Sequence, residues 1–227
     1  MDLSYTIVRS PKRKKLTITV ERDRSVVVHA PEGVSEEAIH NAVESRRQWL
    51  FDKVNHTQKY ADLPHAPGKE VVNGESALYL GREYRIEIEE TASGRVEFNR
   101  RFLVPALQQK RRRQVLREWY FDRARETVLP RVKQCAEKLG VSYGTATMVD
   151  SRFRWGSCTV KDNLSFNWRL IKAPMFVIDY VIIHELAHLM EGNHTPRFWN
   201  IVGANCPLSG KAKNWLKEHG QLLEEEL

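Results

Sequence analysis

The sequence predicts an α+β protein in which a β-rich N-terminal part, residues 1–105, precedes a mixed part at 106–227. Short alternating segments rich in Val, Ile and Thr dominate the first part and are typical of half-buried strands. In the second part, apolar residues recur at helical spacing over 107–139 and 174–191. A chain of 227 residues is long enough for a small domain joined to a larger one.

The N-terminal part is predicted to run from strands to a helix and back to strands. Three short strands are expected first, at 5–9, 15–21 and 25–29. Ser35 is a suitable N-cap for a helix reaching about residue 55. Glu36 and Glu37 also support a helix start here, because negative side chains in the first turn interact favourably with the helix dipole. Residues 56–69 contain two prolines and are expected to form a loop, after which strands return over 76–104.

The second part is predicted to contain the longest helix, over 107–139, where Pro130 should kink or split it and Gly140 should end it. Strands are expected again over 143–171. An apolar helix then begins at Pro174, which suits the first helical position, and extends to residue 191. Two shorter helices complete the chain at 195–204 and 208–219.

Composition limits the kinds of protein to consider. Three cysteines lie far apart, which predicts reduced thiols and a cytoplasmic location. No run of eighteen apolar residues and no secretory leader are found, so no membrane partner is expected. The net charge is +7, and residues 107–173 alone carry 15 basic and 6 acidic side chains, a balance of +9. This segment is either a solvated helix face or a surface that attracts nucleic acid or an acidic partner.

The strongest motif is His184-Glu185-x-x-His188 within the apolar helix. Two histidines four residues apart lie on one helix face, one turn apart, and can share a metal ion. Neutral imidazole suits Zn²⁺, and catalytic zinc usually has three protein ligands and a water. Glu185 adjoins the first ligand and can act as general base on that water. Two imidazoles and a glutamate would be costly to bury in such a helix without a metal.

The third ligand is less directly specified. Glu191 lies on nearly the same face as His184, but about 10 Å further along a straight helix, too far to share one ion. Gly192-Asn193 is a pair that ends helices, so the chain can turn back and present His194. We therefore expect one Zn²⁺ ion on His184, His188 and His194, with Glu191 or a later acidic residue as the alternative.

Other zinc-site classes fit less well. The third histidine has the spacing of metzincins, but the glycine between is displaced by one position and no methionine follows His194. A structural zinc site usually has four protein ligands, and no convincing fourth ligand is found. Cys158 is a weak candidate as a ligand or nucleophile.

Several further motifs carry a resemblance to a known family. Those of the C-terminal part are Trp155-Gly156-Ser157-Cys158, Asn167-x-Arg169-Leu170, Asp179-Tyr180-Val181-Ile182-x-His184-Glu185-Leu186-Ala187-His188-Leu189 and Asn193-His194-Thr195-x-x-Phe198-Trp199. Those of the N-terminal part are Arg9-Ser10-x-x-Arg13, Val27-x-x-Ala30-Pro31 and Tyr79-Leu80-Gly81-Arg82-x-Tyr84. Together they resemble the YgjP-like metal-dependent hydrolases, small zincins related to the SprT-like and WLM peptidases. The last helix departs from the family, since its basic run is diluted around Lys211 and Lys213.

The resemblance implies a zincin-like C-terminal domain, with His184, His188 and His194 on zinc and Glu185 as catalytic base. The expected function is a zinc metallopeptidase acting on a peptide or protein substrate. The alternative is a DNA-associated protease or nucleic-acid-binding protein that uses the basic segment 107–173. A hairpin is expected from Arg152 to Leu170, either as core support or as an edge strand that pairs with a peptide.

Three residues, Arg154, Asn193 and Arg197, are candidates to stabilise an oxyanion. Phe198-Trp199 is interpreted as packing behind His194.

Overall fold

The computed structural model describes residues 4–11, 13–20, 25–54, 69–90, 94–151, 154–225 and 227. The chain divides into two compact units, residues 1–63 and 64–227. This division differs from the expected boundary after residue 105. It differs because the strands between 76 and 105 share the hydrophobic core of the second unit and not that of the first.

The first unit contains a three-stranded sheet and two helices. Its strands are β1 (Tyr5–Ser10), β2 (Thr17–Val20) and β3 (Val26–Pro31), with β3 in the centre, parallel to β1 and antiparallel to β2. Alternate residues of β3 are buried and belong to one core with Ile39 and Val43. That core therefore joins the sheet to the helix that follows.

One helix was expected up to residue 55, whereas the structure has α1 (Glu36–Glu44) and α2 (Arg47–Val54). Ser35 is the predicted N-cap, since its Oγ accepts a hydrogen bond of 3.2 Å from the N–H of Ala38. α1 ends at Ser45. The predicted loop at 56–69 lies outside the described residues except for Lys69.

The second unit begins with a four-stranded sheet. It contains β4 (Ser76–Tyr79), β5 (Arg82–Glu89), β6 (Glu97–Phe98) and β7 (Phe102–Pro105), in the order β4-β5-β7-β6. β5 and β7 are parallel. A cluster of six aromatic rings joins this sheet to the helix that follows: Tyr79, Tyr84, Phe98, Phe102, Trp119 and Tyr120.

The turn between β4 and β5 supports the segment that leads into the helix carrying His184. Leu80 and Gly81 have positive φ angles of 48° and 78°. Their N–H groups donate to the carbonyl oxygens of Ile171 and Lys172 at 2.9 and 2.8 Å. A Cβ on Gly81 would lie 2.5 Å from Pro174 Cγ, so only glycine permits this approach.

The long helix α3 (Gln109–Leu139) is a single element of 31 residues. It buries one residue every four along its length: Leu116, Tyr120, Ala124, Val128, Val132 and Ala136. Pro130 lies inside it at an exposed position and does not split it. Gly140, in the left-handed conformation with φ 67°, ends the helix as predicted.

A second three-stranded sheet contains β8 (Ala146–Val149), β9 (Gly156–Cys158) and β10 (Leu164–Asn167). β10 is central, parallel to β8 and antiparallel to β9, which leaves β9 at an edge. A 3₁₀ helix (Trp168–Lys172) and three α-helices follow: α4 (Met175–Ala187), α5 (Pro196–Asn205) and α6 (Ser209–Leu223). Within the described ranges, no helix has both the length and the apolar content to cross a bilayer.

Candidate metal centre

Helix α4 forms the base of the candidate site. Nine of its residues are buried, including Val177, Ile178, Ile182 and Leu186. The helix ends earlier than expected, at Ala187, and His188 is its C-cap with helical angles of φ −66° and ψ −19°. His184 and His188 therefore keep the spacing of one turn, with ring centroids 5.1 Å apart. Arg131 anchors the helix to α3 by a bidentate ion pair with Asp179 at 2.6 and 2.8 Å.

The segment after α4 turns back and brings His194 to the other two histidines. The N–H groups of Met190 and Glu191 both donate to the carbonyl of Ala187, which closes the helix end. Thr195 then caps α5 by accepting a hydrogen bond from the N–H of Phe198 at 3.3 Å. His194 Nε2 consequently lies 3.1 Å from His184 Nε2.

These three histidines form the metal-competent cluster of the described residues. One donor atom from each of His184, His188 and His194 lies within 4.8 Å of the other two. Glu191 is not a member of this cluster, although its backbone oxygen lies 3.3 Å from Nδ1 of His188. That contact fits an Nδ1–H donor and leaves Nε2 of His188 free, as in the outer hydrogen bonds of metal-binding histidines.

Phe198 supports all three imidazoles from one side. Its ring is fully buried and its centroid lies 4.5 to 4.9 Å from those of His188, His194 and His184. Trp199 stacks on His194 at 5.6 Å with an interplanar angle of 24°. Phe198 thus packs behind the histidines as expected, and Trp199 covers the outer face of the third ring.

Burial lowers the pKa of two of the imidazoles, those of His184 and His188. The pKa of His184 is lowered to about 4, chiefly by desolvation, with His188 and His194 adding to the effect. Burial also lowers the pKa of His188. At neutral pH these two rings are therefore uncharged and keep the lone pair that a metal requires. Nδ1 of His184 is buried and has no hydrogen-bond partner among the described residues, so packing and the contact of Nε2 with His194 orient that ring.

Glu185 lies beside the cluster and is 7% exposed. Its desolvation raises the pKa of the carboxyl to about 7, while the positive charge of Arg154 acts in the opposite direction. Glu185 also touches strand β9. A Cβ built on Gly156 would lie 2.6 Å from Cγ and 2.7 Å from Oε1 of Glu185, so the glutamate fills the space that a side chain at 156 would need.

The free edge of β9 faces the same cleft. The Asn167 N–H donates to the Trp155 carbonyl and the Thr159 N–H to the Asn163 carbonyl, and Ser157 is paired with Ser165 between them. Hydrogen-bonded pairs alternate with non-bonded pairs in an antiparallel ladder. The N–H and C=O groups of Gly156 and Cys158 therefore point away from β10, toward the open edge.

The cleft runs between the histidines and the β9–β10 hairpin. On the hairpin side it is lined by Arg154, by Gly156 to Val160 and by Asp162. Of the three oxyanion candidates, Arg154 lines the cleft, whereas Asn193 and Arg197 are not among its lining residues. Cys158 lines it too but is outside the metal-competent cluster. Sequence reasoning did not identify Val160, a fully exposed valine in the hairpin turn, and no periodic pattern marks it.

The donor set fits a zinc ion. Zinc accepts three neutral imidazoles and retains an open position for water in catalytic sites. Here two of the three rings have a pKa lowered by burial, the donor atoms converge, and the cleft leaves one side open. Together with an adjacent buried glutamate, this is the arrangement of a metal-dependent hydrolase.

Comparison with known proteins identifies the family of this chain. The model of the YgjP-like metallopeptidase domain matches residues 14–219, and the chain belongs to this family. It is accordingly a metallopeptidase-family hydrolase that acts on peptides or proteins. No curated protein matches. A solved structure, the metallopeptidase zymogen abylysin of Pyrococcus abyssi, is 18% identical over 44% of this chain and 100% of its own, with a TM-score of 0.38.

Proposed function

We propose that this chain is a zinc peptidase in which His184, His188 and His194 hold one ion and Glu185 is the general base. The observation that carries this is the convergence of three imidazole nitrogens within 4.8 Å, beside a buried carboxylate. His194 is preferred over Glu191 because its Nε2 lies 3.1 Å from that of His184, whereas Glu191 is absent from the cluster. The site lies in the zincin-like part of the chain.

The chemistry divides between the ion and the protein. Bound zinc supplies a Lewis acid that lowers the pKa of water and polarises a carbonyl group. A carboxylate oxygen of Glu185 accepts a proton from the attacking water. The protonated carboxyl then donates that proton to the nitrogen of the leaving amine. Phe198 excludes water from the inner side of the histidines, because it packs against all three rings.

An extended peptide is the substrate that best suits the cleft. The outward N–H and C=O groups of Gly156 and Cys158 can pair with a peptide backbone as an added strand. Such pairing places the peptide beside Glu185, which is in contact with Gly156. Arg154 is the one of the three oxyanion candidates that lines this cleft.

The role of Glu185 is tested by Glu185→Gln. We expect the variant to retain one zinc per chain by elemental analysis and to lose hydrolysis of a peptide library by about 10²- to 10⁴-fold. Gln is nearly isosteric with Glu but cannot accept the proton. Turnover at the wild-type rate would exclude Glu185 as the base.

The third ligand is tested by comparing His194→Ala with Glu191→Gln. We expect His194→Ala to lower zinc occupancy after dialysis, because a three-ligand site becomes a two-ligand site. Glu191→Gln is the matched control and should keep full occupancy, since only the backbone oxygen of Glu191 contacts the cluster. The reverse pattern would assign the third position to Glu191.

A second candidate function is action on proteins bound to nucleic acid. Lys110 and Arg111 are exposed in the first turn of α3, and no acidic side chain of the described residues forms a salt bridge with either. The helix dipole disfavours cations at a helix N-terminus, and an anionic partner would offset this unfavourable interaction. Binding of labelled DNA should weaken steeply between 50 and 200 mM salt.

Nucleic-acid binding by α3 can be tested with two double variants of this helix. The double variant Lys110→Glu and Arg111→Glu should abolish DNA binding. Lys133→Glu and Lys138→Glu, exposed near the other end of α3, make the same change of charge and should have less effect. Equal losses in both would indicate general electrostatic attraction, and no binding at low salt would eliminate the candidate.

A further inference from the structure

Strand β9 and helix α4 meet at a contact that has no room for a side chain on the strand. Gly156 lies at the edge of its sheet, and the site of its missing Cβ is 2.6, 2.7 and 2.9 Å from Cγ, Oε1 and Cδ of Glu185. A Cβ atom does not approach other non-bonded heavy atoms this closely, so an alanine at 156 would displace the carboxylate or the strand. The carboxylate is the end of a flexible side chain, whereas β9 is paired with β10, so we expect the carboxylate to be the part that shifts.

The same glycine has a second role on its other side. Its N–H and C=O groups point to the open edge, where the proposed peptide strand would pair. One residue therefore touches the carboxylate that takes the proton and presents the backbone that would hold the substrate. The distance between base and substrate depends on how closely Gly156 approaches Glu185.

We propose that Gly156 is a positioning residue, whose lack of a side chain sets the location of the Glu185 carboxylate relative to a peptide bound along β9. This rests on the proposed peptidase function. Gly203 of α5 differs from it, because a Cβ there would meet no atom within 4 Å. The requirement for glycine at 156 arises from the contact with Glu185, because the φ angle there is not in the left-handed region.

The first test is the crystal structure of Gly156→Ala. We expect the fold to be retained and the Glu185 carboxylate to be displaced by about 1 Å, the shift that restores a normal van der Waals separation. A carboxylate at its original place overturns the proposal. This measurement is independent of turnover, so it decides the positional claim even if the wild-type chain hydrolyses no peptide, a result that would refute the proposed function alone.

The second test is kinetic. Misplacement by 1 Å can reduce catalysis by about 100-fold, so we expect Gly156→Ala to lose about that factor in kcat with KM changed much less and zinc occupancy unchanged. Gly203→Ala is the control and should retain wild-type kcat. A wild-type kcat in Gly156→Ala, or a loss explained by missing zinc, overturns the proposal.

A double-mutant cycle with Glu185→Asp separates positioning from a general defect in strand β9. Aspartate is shorter by one methylene and would relieve the clash with an alanine at 156. We expect the double variant Gly156→Ala with Glu185→Asp to have a kcat no lower than that of the less active single variant. Such a departure from additivity is typical of residues in contact. Losses that multiply would show that the two residues act independently and would overturn the proposal.

Discussion

Lys172 provides the most quantitative prediction. It is 3% exposed in the core of the second unit, and its ammonium donates to the carbonyl oxygens of Leu223 and Glu225 at 3.3 and 3.2 Å. It also lies 5.5 and 5.4 Å from the ring centroids of Tyr120 and Trp168. Burial lowers the pKa of Lys172 from 10.5 to about 7, and the charge of Glu225 opposes the shift.

The shift links stability to pH with a definite sign. The unfolded chain keeps the proton on Lys172 up to pH 10.5, whereas the folded chain releases it near pH 7. Between these values the unfolded state binds more protons, so the free energy of unfolding rises with pH. The slope approaches about 1.4 kcal/mol per pH unit, which gives about 2 kcal/mol between about pH 7 and pH 9. Below pH 7 both states are protonated and this contribution is flat.

The measurement is urea unfolding at several values of pH, for the wild type and Lys172→Met. Five of the six tryptophans lie in residues 64–227, so their fluorescence reports mainly on the second unit. The unfolding free energy of the wild type minus that of Lys172→Met should increase by about 2 kcal/mol from about pH 7 to 9. Lys133→Met, at an exposed position of α3, should leave the pH dependence unchanged. A difference that is constant across this range would refute the reasoning.

Three further predictions concern packing and caps. Phe198→Ala should lower the free energy of unfolding by about 3–5 kcal/mol in urea and weaken zinc binding, because the ring is fully buried; a loss below about 1 kcal/mol would contradict this. The pair of Arg131 and Asp179 should show a coupling of about 1 kcal/mol in a double-mutant cycle that falls in high salt, and a salt-independent value would count against it. Ser35→Ala should destabilise the first unit by about 1 kcal/mol in thermal unfolding, because the cap to the Ala38 N–H is lost; an unchanged melting temperature would argue against that cap.

Local signals in the sequence were sufficient for much of the site. The spacing of His184 and His188 and the helix-ending pair before His194 are short-range features, and the structure brings the three rings together. The same holds for Ser35 and Gly140, where one residue determines one helix end. Such positions depend on neighbours within one or two turns, which a sequence displays directly.

Contacts between residues far apart in the sequence could not be predicted from such local signals. The parallel pairing of β1 with β3 joins Tyr5 to Val26, and nothing in either segment specifies that partner. The boundary near residue 63 depends on which core receives the aromatic residues of β4 to β7. The contact of Gly156 with Glu185 joins strand β9 to helix α4, and no local signal in either segment indicates it.

The three proposed ligands differ in how firmly the protein holds them. His184 and His188 belong to the end of a helix whose residues are mostly buried, whereas His194 is exposed on the segment between α4 and α5. Exposed segments open locally far more often than buried helices. Exchange of the metal with solution would therefore begin with release of His194 and proceed without global unfolding. Its rate should depend on the turn from Gly192 to Thr195 and be nearly independent of the stability of the core.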